Sequence, residues 1–78
     1  MKLTCINRNF GFSEIGNFYF VDGEGNNYYW CTTSDKAYEL IQEGTKVKIT
    51  SFKLDGTFEA DGITYTCMKN VRFKEVTK

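Results

Sequence analysis

The stretch that decides the fold spans residues 17–32 and reads NFYFVDGEGNNYYWCT. Its two ends, residues 18–21 and 28–32, are rich in the aromatic and β-branched residues that are typical of strands. The middle, residues 22–27, combines Gly with Asp and Asn, the residue types that close turns. These features predict a β-hairpin. Side chains alternate between its two faces, one with Phe18, Phe20, Tyr28 and Trp30 and the other with Tyr19, Val21, Tyr29 and Cys31.

A single helix is predicted after the hairpin, over residues 34–42. Ala37, Leu40 and Ile41 fall on one apolar stripe at the spacing of a helix that packs on a core. A Ser or Asp at its start can accept hydrogen bonds from the first turn. Gly44 suits the end of the helix.

The second half of the chain reads as short strands. The strand predicted over residues 46–54 changes the parity of its apolar positions, which indicates a bulge near residues 50–51. Asp55-Gly56 is predicted to be a turn. Asp61-Gly62 is a signal for a two-residue hairpin turn.

Length and composition support one mainly β domain over residues 1–78. The chain is 17% aromatic and has only two Ala and three Leu, a composition that suits a sheet better than a helical bundle. About five or six short strands are too few for an immunoglobulin sandwich. A small, strongly bent barrel is the expected solution, because closure removes unpaired strand edges.

The hairpin pattern FYFVD-x-x-GN-x-x-x-W-x-T (18–32) resembles the strand 2–strand 3 hairpin of small OB-fold domains from phages and mobile elements. The SDK start of the helix (34–36), the motif EG-x-x-V-x-I (43–49) and Gly62 continue the resemblance. It implies a five- to six-stranded OB-like barrel with one short α-helix between strands 3 and 4. It also implies single-strand-binding character.

Charge is balanced overall but unevenly distributed. Residues 1–44 carry three basic and six acidic residues, and residues 45–78 carry seven and four. The net charge of zero gives no general attraction to nucleic acid or to an anionic membrane, although a basic face is expected in the second half. There is no signal-peptide pattern and no apolar run near the ~18 residues of a membrane span. We therefore expect a cytoplasmic protein with no membrane partner.

Catalysis is not expected. The chain has no His, which removes imidazole bases and Ser-His or Cys-His pairs, and makes a zinc site improbable. The acids Asp22 and Glu24 fit turn formation better than acid–base work. Three widely spaced cysteines, Cys5, Cys31 and Cys67, are read as buried reduced thiols. No cofactor and no metal are expected.

The leading hypothesis from sequence is a module that binds single-stranded DNA or RNA. OB grooves stack bases on aromatic rings while Lys and Arg follow the phosphates. The predicted site consists of Phe18, Phe20, Tyr28, Trp30, Lys46, Lys48, Lys53, Lys69 and Arg72. The same aromatics, Trp30 above all, are equally suited to fill the core, and the Lys46–Lys48 alternation also fits a solvated strand face.

The alternative hypothesis is a protein-binding module, such as a phage-encoded inhibitor of a host enzyme or defence complex. Aromatic residues and Arg are the usual anchors of such surfaces. A homodimer is also compatible with the pattern. Charge distinguishes the two hypotheses, because a dedicated strand binder is expected to be more basic than this chain.

Overall fold

The chain forms a closed five-stranded barrel with one short helix. The computed structural model describes residues 1–11 and 14–77, apart from the side chain of Glu75. The elements are β1 (Lys2–Phe10), β2 (Gly16–Val21), β3 (Asn27–Thr32), α1 (Asp35–Leu40), β4 (Lys46–Ala60) and β5 (Ile63–Thr77). The strand order is β1-β2-β3-β5-β4, and β4 pairs with β1 to close the ring. The predicted OB-like barrel, with its helix between strands 3 and 4, is confirmed.

The β2–β3 hairpin forms as predicted and supplies the centre of the core. Phe18 lies opposite Trp30 in the register, and their rings stack with centroids 5.5 Å apart. Phe18 and Phe20 are fully buried, and Trp30 keeps 7% of its surface. The core contains Leu3, Cys5, Phe18, Phe20, Trp30, Ala37, Ile41, Val47, Ile49 and Met68. Large aromatic rings thus fill a volume that the few aliphatic residues cannot.

The β4–β5 hairpin is longer than the sequence indicates. Asp55-Gly56 was expected to be a turn, but both residues lie inside β4, and the register with β5 shifts between Leu54 and Thr57. The prediction was wrong because a bulge uses the same residue types as a turn, and Gly56 has a φ of 82°. The bulge predicted near residues 50–51 is confirmed by the register shift between Ile49 and Ser51.

The tip of this hairpin is the two-residue turn that the sequence predicts. Ala60 pairs with Ile63 across it. Asp61 and Gly62 have φ values of 52° and 77°. Positive φ at both central positions matches the twist of a tight hairpin.

Helix α1 is shorter than predicted, and its ends explain why. The Ser34 hydroxyl accepts a hydrogen bond from the Ala37 N–H at 3.2 Å, which confirms the predicted cap. The helix stops at Leu40 because Ile41 takes an extended conformation and is fully buried. Arg8 of β1 donates to the main-chain carbonyls of Tyr38 and Ile41, and its guanidinium lies 4.0 Å from the centroid of the Tyr38 ring. The Arg8 guanidinium of β1 therefore supplies hydrogen bonds to carbonyl groups at the C-terminal end of the helix.

Candidate functional site

A second group of aromatic rings comes together from four strands, and we call it the outer aromatic cluster: Tyr19 of β2, Tyr29 of β3, Phe58 of β4 and Tyr65 of β5. Tyr19 and Tyr29 alternate with the buried rings of their strands, so they face outward. They are register partners with ring centroids 5.2 Å apart. Phe58 lies 5.0 Å from Tyr29 and 5.2 Å from Tyr65, and Tyr65 lies 5.3 Å from Tyr19. Tyr65 is buried beneath the cluster, while the other three rings are partly exposed.

The aromatic part of the predicted site is therefore corrected. Phe18, Phe20 and Trp30 face the core, and a base cannot stack on a ring that has no exposed face. Tyr28 is half-buried and packs against the core. The hairpin exposes Tyr19 and Tyr29 instead, because the phenol hydroxyl needs a polar partner or water while Phe and the bulk of Trp do not.

A hydrogen-bonded chain holds the outer cluster in place. The Tyr29 hydroxyl donates to the Oδ1 atom of Asn17. The Nδ2 atom of Asn17 donates to Oδ1 of Asn9 at 2.9 Å. Burial, followed by a hydrogen bond with Cys31, raises the pKa of the Tyr29 hydroxyl. The hydrogen bond and the ring contacts therefore hold Tyr29 in a fixed position.

The loop between β2 and β3 is organised by one carboxylate. Asp22 Oδ1 accepts from the main-chain N–H groups of Glu24 and Asn26, each at 2.9 Å. Its Oδ2 accepts from the Asn26 side chain at 3.0 Å and from the Tyr28 hydroxyl at 3.3 Å. These hydrogen bonds, led by those from Asn26, lower the pKa of Asp22. The acid is a turn former, as the sequence indicates.

A groove opens beside the outer aromatic cluster, where β3 and β5 part. The parallel pairing of these strands runs from Asn27↔Tyr65 to Trp30↔Met68. Beyond it lies a groove of about 480 Å³, which we call the seam groove, lined by Ile15, Trp30, Cys31, Thr32, Thr33, Lys69, Asn70 and Val71. Cys31 follows Tyr29 by two residues on the same face of β3. The groove therefore continues the surface of the aromatic cluster.

Three of the predicted cations gather at this groove. Lys69 lines the seam groove itself. An adjoining groove of about 610 Å³ is lined by Lys53 and Arg72 and shares Asn70 and Val71 with the seam groove. Among the described residues, no Asp or Glu lines either groove. Lys69 forms an ion pair with Asp55 at 3.7 Å, and both side chains are more than half exposed. An ion pair this exposed contributes little to stability.

The other two predicted cations lie elsewhere. Lys46 pairs with Thr4 of β1, and Lys48 lies between Lys2 of β1 and Lys74 of β5. Lys46 and Lys48 line a separate cavity of about 180 Å³ near the point where the barrel closes. The predicted cations therefore form two separate groups, because bulges in β4 place its two halves on different parts of the barrel.

The cysteines differ from the expectation of three buried thiols. Cys5 is fully buried, and burial raises the pKa of its thiol. Cys67 is half-buried, and burial together with the charge of Asp55 raises its pKa. Cys31 is exposed, since its strand turns it outward at the edge of the seam groove. The expectation holds for Cys5 and fails for Cys31.

No three side chains of Asp, Glu or Cys lie where they could share a metal ion in the part of the chain that the structure covers. Within residues 1–11 and 14–77, no helix has the length and apolar character needed to cross a membrane.

Sequence reasoning missed Tyr19, Tyr29 and Phe58 as surface residues. A signal for the two tyrosines was present, because they share one parity of the hairpin and the three most apolar rings share the other. Phe58 had no such signal. It reaches Tyr29 only through the bulged β4–β5 hairpin, whose register the sequence does not specify.

Comparison of the chain with protein-family models, with curated proteins and with solved structures found no match. The site is therefore interpreted from its own geometry.

Proposed function

We propose that this protein is a non-catalytic module that binds single-stranded nucleic acid across the outer aromatic cluster and the seam groove. The observation that carries the proposal is the junction of the two surfaces. The partly exposed ring of Tyr29 lies two residues before Cys31 on one face of β3, and Cys31 lines a groove that has Lys69 in its lining and no described acid. Stacking platforms next to a cationic path are the two components of single-strand recognition.

The rings supply the sequence-tolerant part of the affinity. A base stacked on an aromatic side chain contributes ~1–3 kcal/mol. Tyr19 and Tyr29 are held by ring contacts, and Tyr29 is also held by its hydrogen bond to Asn17. Fixed rings lose little conformational freedom when a ligand binds, so most of the stacking energy remains available for affinity.

The cations supply the electrostatic part of the affinity. They are grouped locally, so they can attract a phosphate although the net charge of the chain is zero. Lys53 and Lys69 are direct cross-strand partners, and Arg72 lies opposite Ser51 on the same hairpin. Attraction to a phosphate decays within ~8–10 Å at physiological salt. A nearby group of cations therefore matters more to a bound strand than the charge of the whole chain.

The test is fluorescence anisotropy of labelled dT and rU oligomers at low and moderate salt, with two tyrosine variants. Tyr29→Leu and Tyr19→Leu keep apolar packing but remove the stacking ring. Each is expected to weaken binding by about fivefold to a hundredfold. Phe10→Leu is the matched control, because Phe10 is 53% exposed and lies in β1, outside the proposed site.

The two possible results separate clearly. Saturable binding that the tyrosine variants weaken and Phe10→Leu leaves unchanged supports the proposal. Absence of binding even at low salt refutes it, as does an equal loss in the control. Thermal unfolding of each variant confirms that the barrel is intact before affinities are compared.

A further inference from the structure

Another groove lies between helix α1 and the C-terminal half of β5. We call it the helix groove. Its volume is about 740 Å³, larger than that of the seam groove, and it lies mainly beyond the proposed nucleic-acid site. Only Val71 and Arg72 belong to both regions.

The floor of the helix groove is apolar and mainly aliphatic. Ala37 is buried in it, and Val71, Phe73 and Val76 are half-buried against the core. Leu40 lies at the end of α1 and keeps 40% of its surface exposed. The next residue, Ile41, is extended and fully buried, so the helix ends with Leu40 at the surface.

The rim of the helix groove is cationic. Lys36 stands on the helix, and Arg72 and Lys74 stand on β5. The described residues that line the groove include no acid. The acids of the helix, Asp35 and Glu39, instead line a different cavity. The helix therefore presents a basic side to β5 and an acidic side away from it.

From this arrangement we infer that the helix groove docks a short acidic segment of a partner protein that carries an apolar anchor side chain. Charge complementarity selects the acidic flanks, because three cations surround the groove without a described counter-charge. The floor selects the anchor, because Leu40, Val71 and Val76 offer aliphatic surface. A nucleic acid would gain little there, since bases stack on aromatic rings and Phe73 is the one aromatic residue among the described residues that line the groove.

The inference does not depend on the proposed nucleic-acid function, and its test uses different probes. The main probe is a short fluorescent peptide in which Asp and Glu flank a central Leu-Phe pair. One control peptide replaces Leu-Phe with Ser-Ser, and another replaces the acids with Lys. Binding to the full chain is followed by anisotropy and by amide chemical shifts in NMR spectra.

Two pairs of variants place the contact. Leu40→Ser is expected to weaken binding of the acidic peptide by about tenfold or more, the loss that removal of a leucine-sized contact causes. Its matched control is Leu54→Ser, because Leu54 is 69% exposed on β4 and lies outside the groove. Lys36→Glu is expected to weaken binding, and Lys2→Glu on β1 is expected to leave it unchanged. The lysine variant keeps the test valid if Leu40→Ser unfolds.

The expected result is saturable binding of the acidic peptide, with amide shifts centred on Leu40, Val71 and Phe73. Three results would overturn the inference. One is no binding of the acidic peptide, and another is equal binding of the Ser-Ser peptide. The third is that a dT oligomer, and not the peptide, shifts the amides of Lys36 and Leu40, which would make the groove part of the nucleic-acid path.

Discussion

Arg72 offers the sharpest quantitative test of the proposed site. Its side chain is exposed and lines the groove that adjoins the seam groove. Its main-chain carbonyl accepts a hydrogen bond from the Thr50 hydroxyl at 3.2 Å, and a substitution of the side chain leaves that bond in place. Arg72→Gln therefore removes one cation while the barrel should remain folded.

The expected magnitude follows from the number of cations at the groove. Lys53, Lys69 and Arg72 give three candidate phosphate contacts. Each contact on a single strand contributes about −0.7 to the slope of log affinity against log salt, so the wild-type slope should be about −2. Raising salt from about 50 to about 200 mM then weakens wild-type binding by about 20-fold. With Arg72→Gln the slope becomes about −1.4 and the same change of salt weakens binding only about 7-fold.

The assay is anisotropy of a fluorescein-labelled dT oligomer titrated at several salt concentrations. Lys2→Gln is the control, because Lys2 lies on β1 beside the separate cavity near the closing strands. Its slope should equal that of the wild type. An Arg72→Gln slope that matches the wild type would refute the placement of the phosphate path, and so would a wild-type slope close to zero.

Three further predictions concern the fold and its titratable groups. Gly62→Val should lower the free energy of unfolding by about 1–2 kcal/mol in a urea titration, since a β-branched residue resists the positive φ of this turn; an unchanged midpoint would argue against the turn. Brief alkylation without denaturant, followed by mass spectrometry, should label Cys31 first and leave Cys5 unlabelled, because Cys31 is exposed while burial raises the pKa of Cys5; early labelling of Cys5 would contradict its place in the core. The hydrogen bonds that lower the pKa of Asp22 should stabilise the fold at pH values above its ordinary pKa of 3.8. This stabilisation should fade as the pH falls through the lower pKa of Asp22 in the folded state. The urea midpoint of the wild type should then exceed that of Asp22→Asn at neutral pH and approach it in acid, whereas a constant difference would speak against the loop hydrogen bonds.

Local features of the fold could be predicted from sequence because each depends on neighbours in the chain. The β2–β3 hairpin could be predicted because two aromatic runs flank a turn segment, residues 22–27, that contains Asp and Gly. The cap at Ser34 and the turn at Asp61-Gly62 follow from the hydrogen-bonding and backbone preferences of those residue types. The misassigned turn at Asp55-Gly56 marks the limit, because the same residues serve a bulge.

The sequence also determined that the hairpin has two different faces, but it carried only a weak signal for which of them is buried. Alternation has period two, and both faces of residues 17–32 carry aromatic rings. Only the tertiary structure places Phe18, Phe20 and Trp30 in the core and leaves Tyr19 and Tyr29 outside. The choice depends on packing against residues far away in the chain.

The candidate site itself was decided by the tertiary structure. The ring of Phe58 contacts that of Tyr29, and Lys69 lies near the end of β3. Both placements depend on the pairing of β5 with β3 and on the bulged β4–β5 hairpin. The sequence shows an excess of basic residues in the second half of the chain. Register shifts in the pairing of β4 with β5 then separated Lys46 and Lys48 from Lys53, Lys69 and Arg72. The parity of the apolar positions indicated the shift near residues 50–51, but the place that each group of cations takes around the barrel depends on its closure by strands distant in the chain.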